Sequence, residues 1–317
     1  MSEAGHVQTM SLQTDDFEEL REAATDWDQQ YYQMSPGRFE GGIDLTQVGS
    51  RQIFRERWGR KIRYQGTAPH GAFGFALPFD QPGTANWVGK PTCADTVILQ
   101  APGQEAHFVS SGYWDALVFG ISEEEVHSIV AVLTGDDDVN DGLHGTVTLA
   151  RHAADRLRQL GRDFLYESAS ASPEDERQIS RYSEHLVTLF LWELVNAQEN
   201  RVSLIDPTKT ADTVRKATEL VLSERTSVMG LMEICTRLDV SLRALHYAFQ
   251  DVTEMPPATW LRRIRLNQVH KALLRSSPDD ILVKQVAIDH GFFHLGHFSR
   301  QYERLFGCLP SQTLQSA

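Results

Sequence analysis

Cysteine is scarce in this 317-residue chain: Cys93, Cys235 and Cys308 lie far apart and form no Cys-x-x-Cys pair. That spacing argues against a disulfide framework or a zinc finger, and the thiols read as buried and reduced. The first twenty residues, MSEAGHVQTMSLQTDDFEEL, lack a basic stretch followed by an apolar one, so no secretory signal is expected. Long apolar runs are missing as well. LVTLFLWELV at 186–195 reaches about half the length of a membrane-spanning helix and contains Glu193. A soluble, cytoplasmic protein is expected. Catalytic signatures are equally scarce: there is no G-x-S-x-G, no H-E-x-x-H and no phosphate-cradling glycine loop. The strand-like half has no His-x-His, and its His70 and His107 stand apart. A cupin-like metalloenzyme is therefore only the remote alternative, and no enzyme activity, cofactor or metal is expected.

What is present is acid, unevenly spread. The formal net charge of −13 would repel a polyanion at long range. Residues 210–317, however, hold 13 basic and 11 acidic side chains, a net of +2, which leaves −15 for the residues before them. The acidity belongs to the first two thirds, and the last third is free to approach nucleic acid.

The periodicity divides the chain at the same place. Between about 37 and 120 the runs are short and often alternating, as in SRQIFRERW, GAFGFALPF and DALVFGI, with turn residues between them. They predict an antiparallel sandwich or small barrel. From about 122 to 196 the period is helical, with Ser122 as an N-cap and Ser172-Pro173-Glu174-Asp175 as a helix start. The helix over 173–196 carries more apolar residues than one stripe needs, so it is buried in its domain or pairs with a copy of itself. Residues 1–196 thus form one expected domain, 197–211 a linker and 212–317 an all-helical domain.

Within the last domain two stretches share a plan, at about 229–250 and 281–303. MGLMEICTRLDVSLRALHYAFQ and ILVKQVAIDHGFFHLGHFSRQY each give an amphipathic helix, a tight turn and a second short helix. Ser241 suits an N-cap and Gly291 a turn of positive φ. A second helix held out from a compact support fits the DNA major groove. PPATWLRRIRLNQVHKALLRSS joins the two as a helix of about 17 residues, on the order of 25 Å long. The presented helices would then stand roughly one duplex turn apart, about 34 Å. Arg262, Arg263 and Arg265 on this rod read as solvated or structural. His290, His294 and His297 have metal-like spacing, but the turn at Gly291 separates the first from the others.

LMEICTRLDVSLRALHYAFQDV, WLRRIRLNQV and VAIDHGFFHLGHFSRQYERLFGCLP resemble the AraC/XylS family of transcription regulators. With YYQMSPGRFEG they look closest to the ethanolamine-operon regulators within that family. The resemblance implies an effector-binding N-terminal domain of α+β type, β-barrel or sandwich and cupin-like with helices, followed by the two helix-turn-helix units. It implies a sequence-specific DNA-binding regulator, dimeric, with double-stranded DNA and a small-molecule effector as partners and, if it is an activator, RNA polymerase; the sign of regulation is left open. Ethanolamine with cobalamin would be the effector of the closest relatives. By position it assigns DNA contact to Ser241, Arg243, His246 and Tyr247 in the first unit, and to His294, Leu295, Gly296, His297 and Arg300 in the second. Glu254-Met255-Pro256-Pro257 departs from the family's usual corner. Gly296 stands where many members present a polar reader. The residues proposed for the effector are Trp58, His70, Phe73, Phe75, Trp87, His107, Tyr113 and Trp114, aromatic groups with two polar histidines. A regulator gated by a protein partner, or ungated, is the alternative.

Overall fold

A computed structural model describes residues 6–135, 143, 145–197, 201–202, 208–223, 229–277 and 281–316. In chain order the amino-terminal part contains β1 (Val7–Thr14), α1 (Phe17–Ala23), β2 (Asp28–Gln33), β3 (Gly41–Val48), β4 (Arg51–Trp58), β5 (Ile62–Thr67) and β6 (Ala72–Asp80). Next come β7 (Ala85–Trp87), β8 (Lys90–Thr92), β9 (Thr96–Gln100), β10 (Ala106–Val109) and β11 (Trp114–Ser122). Then follow α2 (Glu123–Thr134), β12 (Gly145–Thr148), α3 (Arg151–Ala169), a 3-10 turn (Pro173–Asp175), α4 (Glu176–Asn196) and β13 (Arg201–Val202). The carboxyl-terminal part is helical: α5 (Lys209–Ser223), α6 (Leu231–Leu238), α7 (Leu242–Thr253), α8 (Pro257–Leu274), α9 (Val283–Asp289), α10 (Leu295–Phe306) and α11 (Pro310–Gln315). Among the described residues no helix is long and apolar enough to cross a membrane.

The strands form two antiparallel sheets, ordered β1-β3-β4-β11-β6-β9-β12-β13 and β2-β5-β10-β7-β8. Their sequences follow from which faces are covered. In β4 Phe54, Glu56 and Trp58 point between the sheets, while Arg55 and Arg57 point away to Asp115 and Asp44. β6 and β11 are buried on both faces, which is why GAFGFALPF and DALVFGI are nearly continuous in apolar residues. Ala116 and Val118 face the sandwich interior. Phe73, Phe75, Leu117 and Phe119 face α2, α3 and α4 on the other side.

The helix starts follow local chemistry. Ser122 accepts from Glu125 N at the head of α2, and Ser172 with Asp175 forms a capping box before α4. Strands β1 and β2 precede the expected start of the β region near residue 37. Only part of the expected 197–211 linker lies within the described residues, and α5 already begins at Lys209.

The two parts of the chain share their cores. Leu266, Val269 and Leu273 of α8, with Phe298, Tyr302 and Phe306 of α10, join a cluster containing Phe17, Leu20 and Phe39. On the other side of the rod, Trp260, Leu261 and Ile264 pack with Tyr32, Met34 and Val109. Polar groups complete the seam. Asn267 Oδ1 accepts from Gln33 N at 2.7 Å, and its Nδ2 donates to Gln33 O at 2.9 Å. Gly37 N donates to Leu305 O at 3.1 Å. Gly307, at φ 76°, lies so near Arg38 that an added Cβ would stand 2.7 Å from its backbone nitrogen.

Candidate nucleic-acid interface and ligand cavities

The first helix-turn-helix unit is built from α6 and α7. Asp239 ends α6 in the left-handed region (φ 52°, ψ 47°), a conformation short polar side chains tolerate. Val240 N then returns to Cys235 O at 3.0 Å. Ser241 starts α7 by accepting from Ala244 N at 3.1 Å. Leu245, Ala248 and Phe249 hold α7 against α5, α6 and α8, with Phe249 meeting Trp260 edge-on. Ser241, Arg243, His246 and Tyr247 are left exposed, Tyr247 by 67%. An aromatic ring that open on a helix otherwise anchored by its inner face is available to a partner.

The second unit repeats the plan with different turn chemistry. Gly291 takes φ 83°, and Phe292 N donates to Ala287 O at 2.8 Å. Phe298 and Tyr302 bury the inner face of α10. His294, Leu295, Gly296, His297 and Arg300 are all exposed. Arg300 Nε donates to Gly296 O at 3.2 Å, which holds the guanidinium along its own helix. A Cβ at Gly296 would meet nothing within 4 Å, so the glycine is not required by internal packing. One exposed residue escaped the sequence reading: Phe293, 66% exposed, next to the start of α10. The doubled phenylalanine was its signal, since only Phe292 has a core partner, the Phe298 ring at 5.1 Å.

The rod between the units is α8, 18 residues long, or about 27 Å. At its amino-terminal corner Glu254 adopts φ 59°, Pro256 caps and Pro257 opens the helix. The family-atypical glutamate has a local use: its Oε2 pairs with Lys61 Nζ of the β domain at 2.9 Å. Arg263 donates to Met34 O, and Arg265 Nη2 donates to Met229 O at 3.0 Å. Both are braces. Arg262 and Arg265 both line a groove of about 380 Å³ between the start of α6 and the start of α10, beside His294 and His297.

Inside the sandwich the expected aromatic residues divide. Trp58, Trp87 and Trp114 surround a cavity of about 60 Å³ with Trp27, Tyr64 and Phe108, room for a handful of water-sized spheres. Glu56 lies in this apolar wall, 5% exposed, and accepts from Tyr31 OH at 2.6 Å. Burial pushes its carboxyl up to about 7, against the opposing effect of Tyr31 and of the Trp58 N–H nearby. Trp58 Nε1, Tyr64 OH and Trp87 Nε1 are buried without a hydrogen-bond partner among the described residues. Phe75 also touches this cavity, though its ring packs toward the helices; Phe73, His70, Tyr113 and His107 lie elsewhere. Phe73 stacks on Phe75 beneath α2, and Phe75 sends its ring to Phe190 of α4 at 5.4 Å. His70 is exposed before β6, and Tyr113 sits at the surface, donating to Asp115 at 3.3 Å. His107 lines a different cavity, between the sandwich and α5. Burial, then the charge of Arg63, lowers its pKa, so it is neutral near pH 7. Sequence proximity could not separate these groups, because successive strand residues point to opposite faces.

Residues 234–316 match the family model described as a helix-turn-helix domain. The carboxyl-terminal part contains a helix-turn-helix domain over these residues. Over 103 residues the chain is 30% identical to the probable thc operon regulatory protein of Rhodococcus erythropolis, 32% of this chain and 31% of that protein. It thus spans about a third of that relative's length. Over 136 residues it is 26% identical to the XylDLEGF operon transcriptional activator 2 of Pseudomonas putida, 43% of this chain and 85% of that protein. A solved probable AraC family transcriptional regulator from Rhodopseudomonas palustris CGA009 is 30% identical, with 33% of this chain and 97% of that chain covered and a TM-score of 0.31. The helix-turn-helix domain accounts for the paired bent helices. The aromatic cavity lies outside the matched residues.

Proposed function

We propose that this protein is a sequence-specific DNA-binding transcription regulator whose amino-terminal domain binds a small effector. One observation carries the reading. Two bent helix pairs mounted on one buried rod leave the polar face of each second helix exposed. Arginine can bind guanine bidentately, histidine can reach base edges or phosphates, and Tyr247, Leu295 or Phe293 can meet a thymine methyl. The effector site in this reading is the cavity around Glu56. Its buried carboxylate under indole rings suits a small amine of the ethanolamine kind implied by the resemblance, because an ammonium would meet both the charge and the ring faces. RNA polymerase and a second copy of the chain are the further partners. Selection from a random duplex pool tests the DNA reading: a common sequence should emerge, and an unenriched pool contradicts it. A saturable thermal shift with ethanolamine, lost in Glu56→Gln, tests the effector. A regulator gated by a protein partner would show no such shift.

A further inference from the structure

Between the sandwich and the helical domain lies a second cavity, of about 270 Å³. Arg63 of β5, Asn86 of β7 and His107 of β10 form one wall, and Val214 and Arg215 of α5 with Trp260 of α8 form the other. Arg63 is 4% exposed. Its Nη2 donates to Gln65 Oε1 at 2.7 Å and its guanidinium lies 5.1 Å from the Tyr32 ring centre. Among the described residues no carboxylate pairs with it, and Nη1 is buried with no hydrogen-bond partner. The acids nearby are engaged: Glu105 accepts from Gln65 and faces His107, while Asp212 and Glu219 hold Arg215. Asn86 Oδ1, in the same wall, is also buried and unpartnered. A guanidinium cannot shed its proton as a buried amine can, so a charge left this way is normally met by an anion.

We propose that this cavity binds a small molecule with an apolar body and one oxyanion group, a carboxylate or a phosphate, held by Arg63. The planar fork of arginine suits either oxyanion bidentately, and the Asn86 amide can turn a donor toward it. Val214 and Trp260 offer the apolar wall. Because the two walls belong to different domains, an occupant adds a tie between β5 and α5. The site is separate from the cavity at Glu56, which favours the opposite charge, and it does not depend on the regulatory reading.

The test uses the full chain without DNA, following Tm at constant ionic strength. The probes are cyclohexanecarboxylate and cyclohexyl phosphate, with cyclohexanecarboxamide and cyclohexylamine as controls. A saturable rise with either anion and neither control is expected, with affinity reduced about ten- to a hundredfold in Arg63→Met. A response to the carboxylate alone or the phosphate alone assigns the oxyanion. No saturable rise with either anion, an equal rise with a control, or an undiminished rise in Arg63→Met overturns the site. Should Arg63→Met fail to fold, Arg63→Lys keeps the charge but not the fork and is expected to weaken the response. An unchanged response in that variant also overturns it.

Discussion

Glu56 is held where water would ordinarily solvate a carboxylate, between Phe54 and Trp58 on the inner face of β4. Its pKa in the fold is about 7 against an ordinary 4.5. Between those values the folded chain binds the proton more tightly than the unfolded one, so stability falls as pH rises through this window. The loss is complete above about pH 7 and is on the order of 3 kcal/mol. Glu56→Gln keeps an acceptor for Tyr31 and removes the charge. Its Tm advantage over the parent chain is expected to grow from pH 4.5 to 7 and then level off. A pH-independent difference would mean that the carboxylate is solvated or paired. At the interface, Arg243→Ala should cost about 1–3 kcal/mol of specific DNA binding with Tm unchanged, and intact affinity and sequence preference would remove Arg243 from the contact set. Gly296→Ala should raise folding stability by up to about 1 kcal/mol, since the added methyl meets open space. If DNA affinity falls at the same time, the backbone of α10 comes close to the duplex.

The rod α8 is the element on which both halves depend. Asn267 is fully buried and satisfies both backbone groups of Gln33. Asn267→Leu would strand them, at a cost of roughly 2–4 kcal/mol. Urea unfolding followed by tryptophan fluorescence and by circular dichroism should show coincident transitions in both chains, shifted together in the variant. Separate transitions would show that the domains fold independently despite the shared cores. Elements of this kind were only partly legible in the sequence. Caps and turns were, because Ser122, Ser172, Ser241 and Gly291 act on their immediate neighbours. The rod's apolar residues Leu261, Ile264, Val269 and Leu273 could be read as one stripe, yet Trp260 and Leu266 are buried too, since α8 is covered on more than one side. β1 was hidden for the opposite reason: VQTMSLQT is mostly exposed and owes its extension to pairing with β3. Gln33 and Lys271 look like surface residues until partners at a separation of more than 200 residues are known.

At the scale of the molecule, the exposed faces of α7 and α10 make regulation, in the proposed function, a matter of geometry rather than of covering. The β domain is cemented to the rod and leaves the DNA candidates exposed, so an effector would act by favouring one arrangement of the domains or of two copies. Equal affinity for both arrangements would shift nothing. The excess apolar residues of α4 are largely used internally, with Leu186, Val187, Phe190 and Leu194 buried against the sheet. Trp192 remains 45% exposed with Leu189 beside it at the rim. In the proposed homodimer this outer face is the contact, and Leu189→Ser with Trp192→Ser should halve the mass in solution. An unchanged mass would place the contact elsewhere. Hydroxyl-radical footprinting of the full chain on a selected duplex reaches furthest. Two protected segments about one helical turn apart on one face are expected for each copy, the first weakened by Arg243→Ala. A single protected segment, or protection without sequence preference, would contradict the paired-reader geometry.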